Sequence, residues 1–248
     1  MTSTLKPGWL ADLRTRIGKC ILFGLKAEQV TEASALLQDL ARDWRELVAG
    51  SEGFLTAKSR RGIFRQRVAW GEMDVMGHVN NTAYNRYAES ARMNWLLNFG
   101  THFDPAHNIQ WAELQSSRGI GLIMRSIRTD YKFPMTYPDR VTVYHKLRSL
   151  PTSRDDSFIL DVMILSERHQ RVAARCVEDV VVYDYRQQNK VPLPPFVHAQ
   201  FEEAFMLQEE AKWDCSDHAR DLAERVRSLE RQSWDRADAK EDLGSASP

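Results

Sequence analysis

The chain of 248 residues carries 34 basic and 34 acidic residues, so its formal net charge is zero and no global field draws it to nucleic acid. At 43% hydrophobic and 27% charged it has the apolar side chains for a sizeable core, yet no apolar run approaches the roughly 18 residues of a membrane span. Three scattered cysteines, Cys20, Cys176 and Cys215, offer neither a disulfide framework nor the close pairs of a zinc site, and fit an intracellular, reducing compartment.

Residues 1–60 read as helical. Trp9, Leu13, Ile17 and Cys20 recur at spacings of three and four, and after Ala27 the pattern resumes through Val30, Ala33, Leu36, Leu37, Leu40, Trp44 and Leu47. The first 26 residues set Lys6, Arg14, Arg16, Lys19 and Lys26 against Asp12 alone. That bias fits an organelle-targeting amphipathic segment or a docking helix with a solvated basic face. Cytoplasmic placement is the expectation, with a mitochondrial destination as the alternative. GSEGFLTAKSRRG follows as a linker, broken by Gly50, Gly53 and Gly62.

The next segment, FRQRVAW, puts Val68 and Trp70 on one face and Arg65 and Arg67 on the other, the period of a strand. GEMDVMGHVNN, with two Gly and two Asn, predicts a loop delivering the chain to a helix N-terminus. From Thr82 the period is helical. Tyr84, Ala88, Ala91, Trp95 and Phe99 form one apolar stripe, and Gly100 is the expected stop. Asp74, His78, Asn80 and Asn81 crowd the start of this helix. Free N–H groups in a first helical turn can hold a developing oxyanion, and an upstream carboxylate can act as base or nucleophile. The same residues also have structural uses: Asn80 or Asn81 as helix cap, His78 in orienting the loop, Asp74 in accepting turn amides.

Beyond the helix, residues 101–119 predict an irregular connection punctuated by Pro105 and Gly119. Its His102, Asp104 and His107 have mixed spacing and read as solvated polar groups, so no metal is expected. Four strands follow. GLIMRSIRTDYKF alternates through Ile123, Ile127, Tyr131 and Phe133, RVTVYHKLRS through Val141, Val143 and Leu147, and SFILDVMILSE through Phe158, Leu160, Val162 and Ile164; RVAARCVEDVVVYDY ends in a β-branched run. With turn-rich segments between them, consecutive antiparallel pairing is the simplest topology, and a strand, a helix and then strands argue for an α+β fold.

Asp130 and His145 are polar residues inside these strands, and Arg118, Arg125, Arg128 and Lys132 cluster near one of them. The cations read as the wet face of a half-exposed sheet, with nucleotide phosphates as the alternative contact. VPLPPFV at 191–197 predicts an extended run that ends the sheet. Residues 198–236 are again helical, with Phe201, Phe205, Leu207, Leu222, Val226 and Leu229 as the apolar set, and a frayed tail is expected from Ala237.

The run MDVMGHVNNTAYNRYAESAR resembles the hot-dog-fold thioesterases of the 4-hydroxybenzoyl-CoA thioesterase type. Their signature is an acidic residue, a short spacer, GHVNN, then Tyr, Tyr, Glu and Ala-Arg along a helix. Here these are Asp74, Gly77, His78, Val79, Asn80, Asn81, Tyr84, Tyr87, Glu89, Ala91 and Arg92. The resemblance spans roughly 64–185. It implies an antiparallel sheet wrapped around a long central helix and says nothing about the flanking segments, so the expected organisation is a hot-dog domain over 64–197 with helical extensions, read from their spacing alone, at 1–60 and 198–248. It also implies active sites at a homodimer interface and an acyl-CoA or acyl-carrier-protein thioester as substrate, with no cofactor.

The resemblance implies one of two catalytic carboxylates. One is Asp74, seven residues before the Asn81 N–H that would hold the thioester carbonyl; the other is Glu89, eight residues after it. Asp74 is preferred, because Glu89 has an ordinary role as partner of Arg86 or Arg92 on the helix surface. His78 completes the catalytic set, and Gly77, Asn80 and Tyr84 form the substrate-binding set. Plant acyl-carrier thioesterases share HVNN but carry an Asn two residues after the loop Asp, where this chain has Met76, which ranks His78 below Asp74. The competing expectations are a hot-dog lyase, dehydratase or cyclase acting on a polyketide-like intermediate, and a non-catalytic assembly protein working through the helical extensions.

Overall fold

The apolar spacing of the first sixty residues folds as two helices, α1 (Trp9–Leu22) and α2 (Ala27–Ala49), in a computed structural model that describes residues 8–241. Lys6, part of the basic bias at the N-terminus, lies outside the described residues. α1 buries Leu10, Leu13, Ile17 and Cys20, and α2 buries Ala33, Leu36, Leu40, Trp44 and Leu47. Val30 and Leu37, expected on the same stripe, sit at its margin and are exposed. Among the described residues, 8–52 group with 212–241 as one compact unit, and residues 53–211 form another. In the first unit the later part of α5 (Pro195–Gln232) buries Ala219, Leu222, Val226 and Leu229, and Arg16 grips Glu230 with two hydrogen bonds of 2.7 and 2.9 Å. α5 begins inside the segment expected to be extended, because Pro195 has the fixed φ that suits a first helical turn. Among the described residues no helix is long and apolar enough to cross a membrane.

The second unit is built on an antiparallel sheet of β1 (Ile63–Arg67), β2 (Ile120–Tyr131), β3 (Arg140–Leu147), β4 (Ser157–Ser166), β5 (Arg171–Asp184) and the two-residue β6 (Asn189–Lys190). Its order is β1-β3-β4-β5-β2, with β6 on β5. Consecutive pairing holds from β3 to β5, but β2 lies at the far edge beside β5 instead of next to β3. The central helix α3 (Asn81–Asn98) explains the departure. The β2–β3 connection crosses its N-terminal end, where the Met135 carbonyl accepts from the Val79 N–H at 2.8 Å and the Met135 N–H donates to the Tyr84 hydroxyl at 3.3 Å.

β1 is also shorter than its alternation predicts. Arg65 adopts a φ of 51°, the register shifts between Ile63 and Gln66, and the strand ends at Arg67. Trp70, expected inside beside Val68, is instead 71% exposed on a single 3-10 turn.

α3 lays Ala83, Tyr84, Tyr87, Ala88 and Ala91 against Ile63, Val141, Val143, Val162, Ile164 and Ala174. The alanines let sheet and helix approach closely: a Cβ on Gly62 would fall 2.5 Å from the Ala91 carbonyl oxygen. A second apolar cluster gathers Trp95, Phe99, Trp111, Phe158 and Phe201. This is the hot-dog arrangement, an α+β sheet around one long helix. Gly100 does not stop that helix by turning left-handed. The chain continues as a π turn over Phe99–Phe103, and Gly100 is needed for contact, since a Cβ there would lie 2.9 Å from both Asn108 Oδ1 and Trp111 Cβ. The 101–119 connection is therefore partly helical, with α4 (Asn108–Glu113) burying Trp111 completely. The Trp111 indole donates to Asp104 at 3.1 Å and His107 Nδ1 lies 2.9 Å from the same carboxylate, so these polar residues serve the local fold.

Candidate active site

The loop before α3 is a tight hairpin. The Asp74 N–H donates to the His78 carbonyl at 2.9 Å, and the Gly77 N–H returns to the Asp74 carbonyl at 3.0 Å. Gly77 takes a φ of 74°, the left-handed value that closes such three-residue loops and that glycine adopts without a Cβ penalty. Asp74 Oδ1 accepts the Met76 N–H at 2.9 Å, and among the described residues Oδ2 has no protein partner. The hairpin thus holds a half-buried carboxylate by one oxygen and leaves the other to the solvent side.

Asn80 is the N-cap of α3. Its Oδ1 accepts the Thr82 N–H at 2.9 Å and the Thr82 hydroxyl at 2.8 Å, and its carbonyl accepts the Ala83 N–H at 2.9 Å. The cap satisfies the second and third amides and skips the first. Among the described residues the Asn81 N–H makes no hydrogen bond, and it sits at the positive end of the helix dipole. The Asn81 carbonyl accepts the Tyr131 hydroxyl at 3.3 Å, and the Tyr131 ring meets Tyr84 edge-on at 5.2 Å. Burial pushes the phenols of Tyr84 and Tyr131 above their usual range, so both keep their protons at physiological pH.

Asp74, Met76, His78, Asn81, Tyr84 and Tyr131 line one open cleft of about 480 Å³. The sequence-predicted residues that meet there are Asp74, His78, Asn81 and Tyr84. Gly77 shapes the hairpin behind them and the Asn80 side chain is committed to the cap. Glu89 is exposed on α3 and is not part of the cleft lining. Its expected pairing with Arg92 does not form, because Arg92 turns inward to the sheet, where its Nη1 lies 2.8 Å from Glu178 on β5. His145 on β3 approaches the other Glu178 oxygen at 3.4 Å, and its ring stacks on Trp95. These are close contacts rather than aligned hydrogen bonds, since Arg92 Nη1, His145 Nε2 and both Glu178 oxygens lack hydrogen-bond geometry. Burial disfavours the Glu178 carboxylate, yet His145 and Arg92 outweigh it and hold the carboxyl below the usual range.

Sequence reasoning noted His145 only as a polar residue inside a strand and missed its meeting with Glu178 and Arg92, although strand alternation carries the signal. His145 shares the inward parity of Val141, Val143 and Leu147, and Glu178 that of Cys176, Val180 and Val182. The cations of β2 are surface groups, with Arg125 pairing to Asp179 at 2.6 Å and Arg128 to Asp130 at 3.4 Å.

A carboxylate with one free oxygen, lining the same cleft as an unbonded amide at a helix N-terminus, is suited to attack on a carbonyl whose oxygen gains negative charge. Residues 68–201, more than half the chain, match the thioesterase-like superfamily. The chain belongs to that superfamily. It is a thioester hydrolase by family, and Asp74, His78 and Asn81 all fall within the matched span. The long-chain acyl-CoA thioesterase FadM of Escherichia coli (strain K12) is 27% identical over 121 residues, covering 49% of this chain and 82% of FadM. Among solved structures, the PA2801 protein from Pseudomonas aeruginosa is 26% identical with a TM-score of 0.45, over 55% of this chain and 95% of its own. A thioesterase from Thermus thermophilus, solved with coenzyme A and Zn, is 22% identical with a TM-score of 0.47, over 62% of this chain and 96% of its own.

Proposed function

We propose that this thioester hydrolase acts on an acyl-CoA at the cleft beside the N-terminus of α3, with Asp74 as the catalytic carboxylate. Either Asp74 takes a proton from a water that adds to the thioester carbonyl and the tetrahedral adduct collapses with cleavage of the carbon–sulfur bond, or Asp74 adds to that carbonyl itself, the CoA thiolate leaves, and water then hydrolyses the anhydride; both routes end in free acid, CoA thiol and a regenerated Asp74. The Asn81 N–H receives the oxyanion. The leaving group, a thiol of pKa about 8.5, departs as thiolate without a strong general acid, which suits so sparse a site. The observation that carries the reading is the pairing of the free Asp74 oxygen with the unbonded Asn81 amide on one cleft. The FadM name supports CoA over a carrier protein as the thiol. Hydrolysis is favoured over a lyase reaction because the helix carboxylate, Glu89, stays outside the cleft that holds His78.

The working unit in this proposal is a homodimer. β2 is an edge strand of twelve residues, paired to β5 on one side only, and it ends at Tyr131 on the cleft. A second copy laid along that edge covers its open backbone groups and brings a second surface to the cleft. The deciding experiment is Asp74→Asn assayed by thiol release from a panel of acyl-CoAs. Turnover is expected to fall at least a hundredfold with an unchanged circular dichroism spectrum. Undiminished turnover removes Asp74 from the mechanism, and loss in Glu89→Gln instead moves the chemistry to the helix.

A further inference from the structure

Two carboxylates lie on the hairpin arm, and the second, Glu72, takes two hydrogen bonds on one oxygen. Glu72 precedes Asp74 by two residues, and its side-chain Oε2 accepts the Tyr87 hydroxyl at 2.7 Å and the Ala69 N–H at 2.6 Å. Its backbone carbonyl accepts the Asn80 N–H at 2.8 Å. One residue therefore touches three parts of the site: the start of the loop through Ala69, the N-cap of α3 through Asn80, and the helix body through Tyr87. Tyr87 is 2% exposed and lies in the apolar cluster between helix and sheet, so its ring is fixed by packing and its hydroxyl points at one place.

We infer that Glu72 and Tyr87 form a positioning pair that sets the distance between the Asp74 carboxylate and the Asn81 amide. The inference rests on the hydrolase reading of the cleft and deepens it. Asp74 rides on a hairpin and Asn81 on a helix, and two separately anchored groups must be held to within a fraction of an ångström for attack and oxyanion capture to coincide. The Met73–Val79 bridge closes the hairpin upon itself, and the Val79 N–H ties it to Met135. The Glu72 side chain adds a bond from the hairpin arm to the body of α3, two turns inside the helix from its cap. Burial pushes the Tyr87 phenol up, and the Glu72 carboxylate reinforces the shift, so the hydroxyl keeps its proton and stays a donor. Neither residue lines the cleft, so neither touches substrate.

The test begins with wild-type turnover of an acyl-CoA; its absence would sink the hydrolase reading itself. Given turnover, Tyr87→Phe is expected to lower kcat about ten- to a hundredfold with KM changed less than threefold, on protein whose melting curve shows it fully folded. Glu72→Ala should match it. Glu72→Gln, which keeps an oxygen acceptor, should retain most of the activity, and the Tyr87→Phe/Glu72→Ala double variant should be no slower than either single one. In an Asp74→Asn background Tyr87→Phe should have no further effect, because the group it positions is gone. Unchanged kcat in folded Tyr87→Phe overturns the proposal. So does a further fall in the Asp74→Asn background, or a loss in Glu72→Gln equal to that in Glu72→Ala.

Discussion

At the scale of single residues, the strongest energetic commitment lies away from the cleft. Arg92 has a side chain 8% exposed, and Glu178 and His145 have side chains fully buried, so removing one partner strands a charge in the core. Arg92→Leu is expected to cost about 3–5 kcal/mol in urea denaturation, and Arg92→Leu with Glu178→Leu should recover part of the loss by removing both charges. The pH dependence follows from Glu178. Its folded-state pKa lies below its value of 4.5 in the unfolded chain, so its contribution is complete above that value and disappears as pH falls through the folded-state pKa. Glu178→Gln should therefore flatten the acid limb of stability against pH while leaving the slope near neutrality unchanged. The cleft residues were legible because chemistry and spacing coincide in one short run; the buried charges were not, because alternation names a face without saying whether an inward acid has found its counter-charge.

At the scale of elements, α3 depends on its cap and on close approach. Asn80→Ala removes the acceptor for the Thr82 amide and hydroxyl, and should cost about 1 kcal/mol. It should also slow turnover, since the Asn81 amide then loses its fixed first turn. Measuring stability and kcat on one preparation separates the two effects. Gly62→Ala places a Cβ against the Ala91 backbone, which has no rotamer to give, and should cost about 1–3 kcal/mol in thermal unfolding. The helical stripe from Tyr84 to Phe99 was readable because a 3.6-residue period is local. The end of α3 was not. Gly100 looked like a stop, but its role is to make room for Trp111, a packing demand set eleven residues away. The order of the strands was equally out of reach, since only the need to wrap α3 sends β2 past β3 to the far edge.

At the scale of the whole molecule, the expected assembly is a pair of chains, and sedimentation at micromolar concentration should give about twice the 28.7 kDa of one. The α+β class was legible from the sequence of periods, whereas the compact unit that joins residues 8–52 with 212–241 joins segments that no local pattern links. The unpaired edge of β2 has one more consequence, readable in isotope exchange. Along an edge strand every second amide points inward to its neighbour, here β5, and the intervening amides point away from the sheet. In dilute, dissociated protein β2 should trade deuterium at alternate residues, with the phase slipping at the register shift between Met124 and Ser126. As concentration rises and a second strand arrives, the fast set should become as slow as the other, so one strand's exchange pattern counts the chains in the molecule.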